Sequence, residues 1–411
     1  LKIYRVNCEA VVSILFAVLV QKSHLGKTID NTLQSNKKLG AKDRHFIASS
    51  VFDIIRFLRH YTTLVGSENV SSELDVRHVL AAMFVSKKIE MPSWFEADDT
   101  SVDTIKLNNS KPLAHIDTAS FTDFFYTQGE EQYGANWTKI ADALNEEAAV
   151  CLRVNSLVTD LISLRKELSR EGIETKMVNE SPDALLLNVR KKLTNHPSYQ
   201  AGCFEFQDVS SQQVVLFAKP TSGMKIVDAC AGAGGKSLYL AQLIKNDGLI
   251  LSLDLYPKKL ETLTRRAAKA KASCISTYSI EDAFFVKHNA SADLVIVDAP
   301  CSGSGVIKRN PENKWNLQAD FIKNIAAQQL AILNKNAALV GVGGELLYAT
   351  CSILSQENSE VVTAFLAQNK YFNFIEEKIL VPGVNTSFDG FYMAKNEANS
   401  LMLLVFLSFF C

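Results

Sequence analysis

The chain has 411 residues, 47% of them hydrophobic and 21% charged, a balance that suits two or three folded domains and excludes disorder as the default state. Its formal net charge of −1 supplies no global field for a polyanion, so a nucleic acid would have to be held by a local basic patch. The eight cysteines, at positions 8, 151, 203, 230, 274, 301, 351 and 411, show no CxxC or Cys/His cluster spacing, which points to a reducing compartment with no disulfide framework and no bound metal.

Near the start, Ala10 to Val20 form an apolar run behind Lys2 and Arg5. It mimics a signal peptide, but Gln21-Lys22-Ser23-His24 holds no small-x-small cleavage site, so a buried helix is expected. No stretch reaches the ~20 apolar residues that a membrane-spanning helix needs. Up to about residue 145 the apolar positions recur at helical spacing, as in Phe46, Ile47, Val51, Ile54, Ile55 and Leu58, with Asp53, Arg56 and Arg59 between them. This part reads as all-helical. Met91 to Asp117, with Pro92, Pro112, Asp98, Asp99 and Asn108-Asn109, interrupts the pattern and reads as an exposed connection.

Residues 146–220 change rhythm to short strands, Val150 to Val154 and Ala184 to Val189, around a helix from Asp160 to Glu171, as in a small α+β module. Residues 221–395 alternate strands with helices: Lys225 to Val227, Leu249 to Leu253, Leu294 to Val297 and Glu345 to Ala349. Such alternation predicts an α/β domain with a mainly parallel sheet covered on both faces. Residues 396–411 are an atypical tail, apolar from Leu401 onward and too short for a membrane anchor.

The α/β part carries the chemistry. Asp228-Ala229-Cys230-Ala231-Gly232-Ala233-Gly234-Gly235-Lys236 lies between the strand ending at Val227 and a helix over Ser237 to Leu243. Glycines there let backbone donors approach a ligand closely. The next strand ends at Asp254, about 20 residues past Gly234, where a carboxylate can accept both hydroxyls of a ribose. An adenosine-type ligand fits; NAD, ATP and S-adenosylmethionine stay open, although the spacing before Lys236 is not that of a Walker loop. Asp282 falls where a third strand would end and is placed to accept from an adenine amino group. Asp298 closes the run Leu294 to Val297, where a carboxylate is costly unless paired or used.

Cys301 and Cys351 follow two of these strands, in Asp298-Ala299-Pro300-Cys301-Ser302-Gly303 and Thr350-Cys351-Ser352. Open α/β sheets present reactive groups at such carboxyl ends, so both thiols are candidates for covalent group transfer. Cys230 reads as packing, and Cys8, Cys151, Cys203 and Cys274 as structural. Lys308, Arg309, Lys314 and Trp315 combine cations with an aromatic ring, a pattern able to hold a phosphate and stack on a base. Arg190-Lys191-Lys192 adds local positive charge, whereas Lys258-Lys259 and Arg265-Arg266 read as a polar helix face.

Together these motifs resemble the Nop/Sun family of RNA cytosine-5 methyltransferases, in its bacterial Sun-type form with a NusB-like helical domain. The resemblance covers nearly the whole chain. Leu39 to Ile47 look like the helical domain's entry motif; Leu152-Arg153-Val154-Asn155 and Gly202 to Asp208 look like the pre-catalytic module. Asp298 to Gly305 and Thr350-Cys351-Ser352-Ile353 with Glu357-Asn358 match the most specific signatures, and Asp389 to Ala394 is similar to the closing strand. Gly232-Ala233 stands where Ala-Pro is more usual, Glu312-Asn313 departs from the usual run before Lys314-Trp315, and the likeness ends after Lys395.

The resemblance implies a NusB-like RNA-binding domain over 1–145, the small α+β module over 146–220 and a Rossmann-like class I methyltransferase domain over 221–395. It implies S-adenosylmethionine held by Cys230, Ala231, Gly232, Ala233, Gly234, Gly235, Lys236, Asp254, Asp282 and Asp298, with Cys351 as nucleophile and Cys301 assisting product release. The expected partner is RNA, in particular ribosomal RNA, and the expected setting a cytoplasmic monomer without membrane or metal. Carbon 5 of cytosine is a poor nucleophile until a thiolate adds to carbon 6, and Asp298 can hydrogen-bond the N3/N4 edge as charge develops on the ring. The target base has to be unstacked to expose its faces. Two other readings remain at this point: a catalytically silent RNA-binding or ribosome-assembly factor, and an NAD-dependent oxidoreductase.

Overall fold

The computed structural model describes residues 3–67, 69–95 and 99–399. The chain divides into two compact units, one formed by Leu1–Asn145 with Asn310–Gln318, the other by Glu146–Arg309 with Ala319–Cys411.

The first unit is helical. Arg5–Leu19 is the first helix, made from the apolar run near the start, and it buries Val11, Ile14 and Leu15. Ala41–Arg56 packs against it through Ile47, Val51 and Ile54, which recur at the spacing of one helix face. Glu73–Ser86 starts at Ser72, whose hydroxyl accepts from the Asp75 N–H while Asp75 returns the bond to the Ser72 N–H. Within the segment read as an exposed connection the structure contains a helix, Asp99–Asn109, and Ile105 is fully buried in the helical core. Its apolar residues are too sparse to announce a helical face, and tertiary packing decides its conformation. Leu25–Ser35, Leu58–Val65, His115–Ala119, Asp123–Tyr133 and Trp137–Asn145 complete the N-terminal α-helices among the described residues.

The second unit contains two sheets. In the smaller, strands β1 (Cys151–Val154), β2 (Thr175–Met177), β3 (Ala184–Leu187) and β4 (Phe204–Phe206) lie in the order β2-β3-β1-β4, all antiparallel. Leu161–Arg170 packs on this sheet, with Leu164 and Leu168 facing Leu152, Leu185 and Phe204.

The larger sheet comprises β5 (Lys225–Asp228), β6 (Leu249–Asp254), β7 (Ile275–Ser279), β8 (Ala292–Asp298), β9 (Val340–Thr350), β10 (Phe372–Leu380) and β11 (Phe391–Ala398). Their order is β10-β11-β9-β8-β5-β6-β7; β9 through β7 are parallel, and β11 runs antiparallel to both neighbours. Alternate residues feed opposite cores. Val227, Val295 and Val297 face Ala319–Ala337 and Ser359–Gln368, whereas Ile226, Leu294 and Ile296 face Val209–Ala218 and Gly235–Leu243. This two-sided burial is why the strands read as continuous apolar runs.

The closing strand continues past Lys395 to Ala398, so residues 396–398 of the atypical tail belong to the sheet; residues 400–411 lie outside those described. Among the described residues, no helix is long and apolar enough to cross a membrane.

Candidate active site

Strand β5 lies between β6 and β8, and the strand order reverses there, which opens a crevice at the carboxyl ends. The loop after β5 fills one wall. Its shape is held by main-chain bonds from Ala229 N to Ile296 O and from Ala231 N to Leu253 O. Gly234, at φ +87°, is the helix N-cap, and a Cβ there would stand 1.9 Å from Leu263 Cδ1. The turn therefore needs glycine for both its backbone angle and its close approach.

Asp254, at the end of β6, accepts from Gly232 N at 2.9 Å and from Tyr256 N at 2.8 Å. Arg153, fully buried in β1, donates to Gly235 O at 2.7 Å and to Gln207 Oε1, joining the small sheet to the loop. Its guanidinium also lies over the Tyr239 ring. Gln207, Ser211, Asp228, Cys230, Ala231, Gly235, Lys236 and Asp298 line a cavity of about 110 Å³ at the loop.

Burial and three carboxylates, Asp298, Asp228 and Asp254, push the Cys230 thiol up to about 12, so it stays a neutral wall of this cavity. Asp228 accepts from Ser237 Oγ at 2.6 Å through one oxygen, while the other has no hydrogen-bond partner; burial raises its carboxyl to about 6. Asp298 pairs with Lys236 Nζ at 2.5 Å, which answers the cost of placing a carboxylate at the end of β8. The same ammonium lies over the Phe391 ring.

The two thiols meet because β8 and β9 are parallel neighbours in a register that pairs Asp298 with Ala349. The turns leaving both strands therefore start at the same level. Cys301 Sγ and Cys351 Sγ are 3.1 Å apart, and Gly305 N donates to Cys351 O. The hydrogen bond with Cys351, burial and the nearby charges of Cys351 and Glu357 raise the Cys301 thiol well above its ordinary range, so Cys301 keeps its proton.

The remaining candidates lie elsewhere. Asp282 opens the helix Asp282–His288; its carboxylate is 95% exposed and pairs with Lys335, and it is not among the cavity-lining residues. The four side chains expected to contact RNA are used inside the fold. Lys308 is buried and bonded to Glu146 and to Ser387 O, and Arg309 bridges the buried Asp208 and Asp389. Lys314 is fully buried, donating to Arg56 O, Ala119 O, Ser120 O and Asn145 Oδ1, and Trp315 donates to Ile55 O. Lys308 and Lys314 are thus buried, whereas Arg309 and Trp315 are half-buried. Pro311–Asn316 is a short 3-10 helix of the helical unit, and its cation satisfies helix-terminal carbonyls where a phosphate had been expected.

Sequence reasoning passed over Gln207, Ser211 and the pairing of Lys236 with Asp298. Arg153, Gln207 and Glu357 lie in quoted motifs, but no local pattern shows that a buried side chain reaches across to another element.

A glycine loop at a strand-order reversal, followed by a lysine ion-paired to the end of the adjacent strand β8 and flanked by two adjoining thiols, defines an α/β domain of the Rossmann-like methyltransferase class. Residues 215–396 match the family described as 16S rRNA methyltransferase RsmB/F, and residues 121–194 match the ferredoxin-like domain of RsmF/B-like methyltransferases. The probable ribosomal RNA small subunit methyltransferase B of Bacillus subtilis is 36% identical over 246 residues, covering 56% of this chain and 55% of that protein. Ribosomal RNA small subunit methyltransferase B of Shewanella oneidensis is 30% identical over 321 residues, covering 73% and 74% respectively. The crystal structure of PH0851 has the same fold, with a TM-score of 0.79, 19% identity and coverage of 97% of this chain and 99% of that one. The chain belongs to the RsmB/F family of 16S rRNA methyltransferases.

Proposed function

We propose that the protein transfers a methyl group from S-adenosylmethionine to carbon 5 of a cytosine in RNA, in particular ribosomal RNA, through a covalent bond between Cys351 and carbon 6. The observation that carries this reading is the 3.1 Å approach of Cys301 and Cys351 beside the Lys236–Asp298 pair. Family membership supports an RNA substrate.

The donor set suits the cofactor. Asp228 has an unpartnered oxygen, Asp298 and Asp254 add negative charge, and a Cβ at Gly232 would meet nothing within 4 Å. Such a wall favours a ligand carrying a positive sulfonium and hydroxyl donors. When bound, S-adenosylmethionine supplies an electrophilic methyl carbon.

Cys351 adds as thiolate to carbon 6, and the ring electrons shift toward the N3/N4 edge and carbon 5. Asp298, which pairs with Lys236, is the residue proposed to hold that edge. After carbon 5 is methylated, loss of its proton and expulsion of Cys351 restore the aromatic ring. Cys301, kept protonated, donates a hydrogen bond to the departing sulfur and so assists release. The helical unit is proposed to be the NusB-like RNA-binding part, on the strength of its all-helical build and the family likeness.

Methyl incorporation from labelled cofactor into unmodified small-subunit ribosomal RNA, followed by nucleoside analysis, tests the reading. The expected product is 5-methylcytidine, with Cys351→Ala reducing its formation by at least ~10³-fold. Methylation at another atom, or undiminished activity of Cys351→Ala, contradicts it.

A further inference from the structure

Glu357 is fully buried, yet none of the partners of its carboxylate is a cation. One oxygen accepts from Ser302 N at 2.7 Å and Gln329 Nε2 at 3.0 Å; the other accepts from Ser302 Oγ at 2.5 Å and Ser352 Oγ at 2.6 Å. Ser302 follows Cys301 and Ser352 follows Cys351, so each thiol-bearing turn is tied to the same carboxylate. Gln329 also donates to Pro300 O, the carbonyl just before Cys301.

The anchor itself is fixed. Glu357 O accepts from Tyr348 Oη at 2.6 Å, and the neighbouring Asn358 accepts from Thr350 Oγ1 and donates to Ser352 O. Between the two turns, Ser304 Oγ bonds Ser352 Oγ at 2.9 Å and accepts from Ile353 N. A buried carboxylate without a counter-cation is expensive, and stability alone would be served as well by a neutral amide or an apolar side chain.

We propose that Glu357 is a positioning residue for the two-thiol reaction: its carboxylate ties the Cys301 and Cys351 turns to one point and so sets the separation at which Cys301 serves the Cys351 sulfur. This rests on the function proposed above. The negative charge contributes as well, since it favours the protonated form of Cys301, the form that can donate to Cys351.

The test uses the full chain and needs neither RNA nor cofactor. Diamide oxidises the two thiols to a disulfide, forming one S–S bond while its N=N bond is reduced to the hydrazine, and peptide mass spectrometry reads the Cys301–Cys351 link. Glu357→Ala is expected to slow this closure by at least ~10-fold, because a displacement of the order of an ångström separates the sulfurs. Glu357→Gln can keep the bonds, accepting from Ser302 N and Gln329 through its oxygen and donating to the serine hydroxyls. It is expected to close at close to the normal rate.

In a Cys351→Ser background, Glu357→Gln is expected to lower the pH midpoint of Cys301 alkylation by about half a unit or more, a shift that a purely structural role would not produce. Should Glu357→Ala fail to fold, the glutamine variant decides on that midpoint. An unmoved midpoint, or a folded Glu357→Ala that closes at the normal rate, overturns the proposal. If the unmutated protein closes the disulfide in a Glu357-dependent way but methylates no RNA, the clamp is supported and the proposed function contradicted.

Discussion

Asp228 shows how far a single buried group governs this site. It is 1% exposed, and burial lifts its carboxyl from 3.8 to about 6. The folded protein therefore binds the proton more tightly than the unfolded chain, so this group's contribution to stability is fully present below pH 4 and is lost as pH rises to about 6. The loss is about 2–3 kcal/mol. Asp228→Asn keeps an oxygen for the Ser237 hydroxyl and removes the charge. Urea unfolding should find the variant more stable than the parent by about 1–3 kcal/mol at pH 8, with the gap closing below pH 4. A gap that does not change with pH would contradict the burial account. A stabilising loss of a cavity-lining carboxylate is the pattern expected where a group is kept for binding at the expense of stability.

Lys314 carries the corresponding argument for elements. Its ammonium satisfies carbonyls where Ala41–Arg56 and His115–Ala119 end, and it lies over the Phe121 ring. Burial without a carboxylate partner lowers its pKa well below the usual lysine range. Lys314→Met should destabilise the helical unit by about 2–4 kcal/mol in thermal unfolding, because the carbonyls lose their donor in a buried place. The salt dependence of RNA binding should be unchanged. Unaltered stability with a shallower salt slope would restore Lys314 as a phosphate contact.

The elements differ in how well they could be read. β5, β6, β8 and β9 are legible because both faces of the sheet are buried, which writes them as apolar runs. The helix Asp99–Asn109 is not, because Ile105 is its one fully buried residue among those described, and its partners lie elsewhere in the chain. Lys308 to Trp315 look like a charged exposed loop in sequence, since the acceptors of these cations come from distant segments such as Asp208, Asp389 and Asn145.

At the scale of the whole molecule, the site is assembled from pieces about 200 residues apart in the chain: Arg153 and Gln207 from the small sheet's region, Lys236 from the first turn of the helix Gly235–Leu243, and Cys301 and Cys351 from the turns after neighbouring strands. The two thiol turns and the glycine loop were visible as motifs. Their convergence required the β8–β9 register, which no local pattern encodes.

That convergence makes the covalent step the central claim. The measurement that tests it most directly is a denaturing-gel search for a protein–RNA adduct after Cys301→Ala is incubated with S-adenosylmethionine and unmodified small-subunit ribosomal RNA. The account predicts a slowly migrating adduct in Cys301→Ala, because release is impaired, and none in the Cys301→Ala/Cys351→Ala double variant. An adduct that survives the loss of Cys351, or its absence from Cys301→Ala while the unmutated protein methylates the RNA, would contradict the roles assigned to the two thiols.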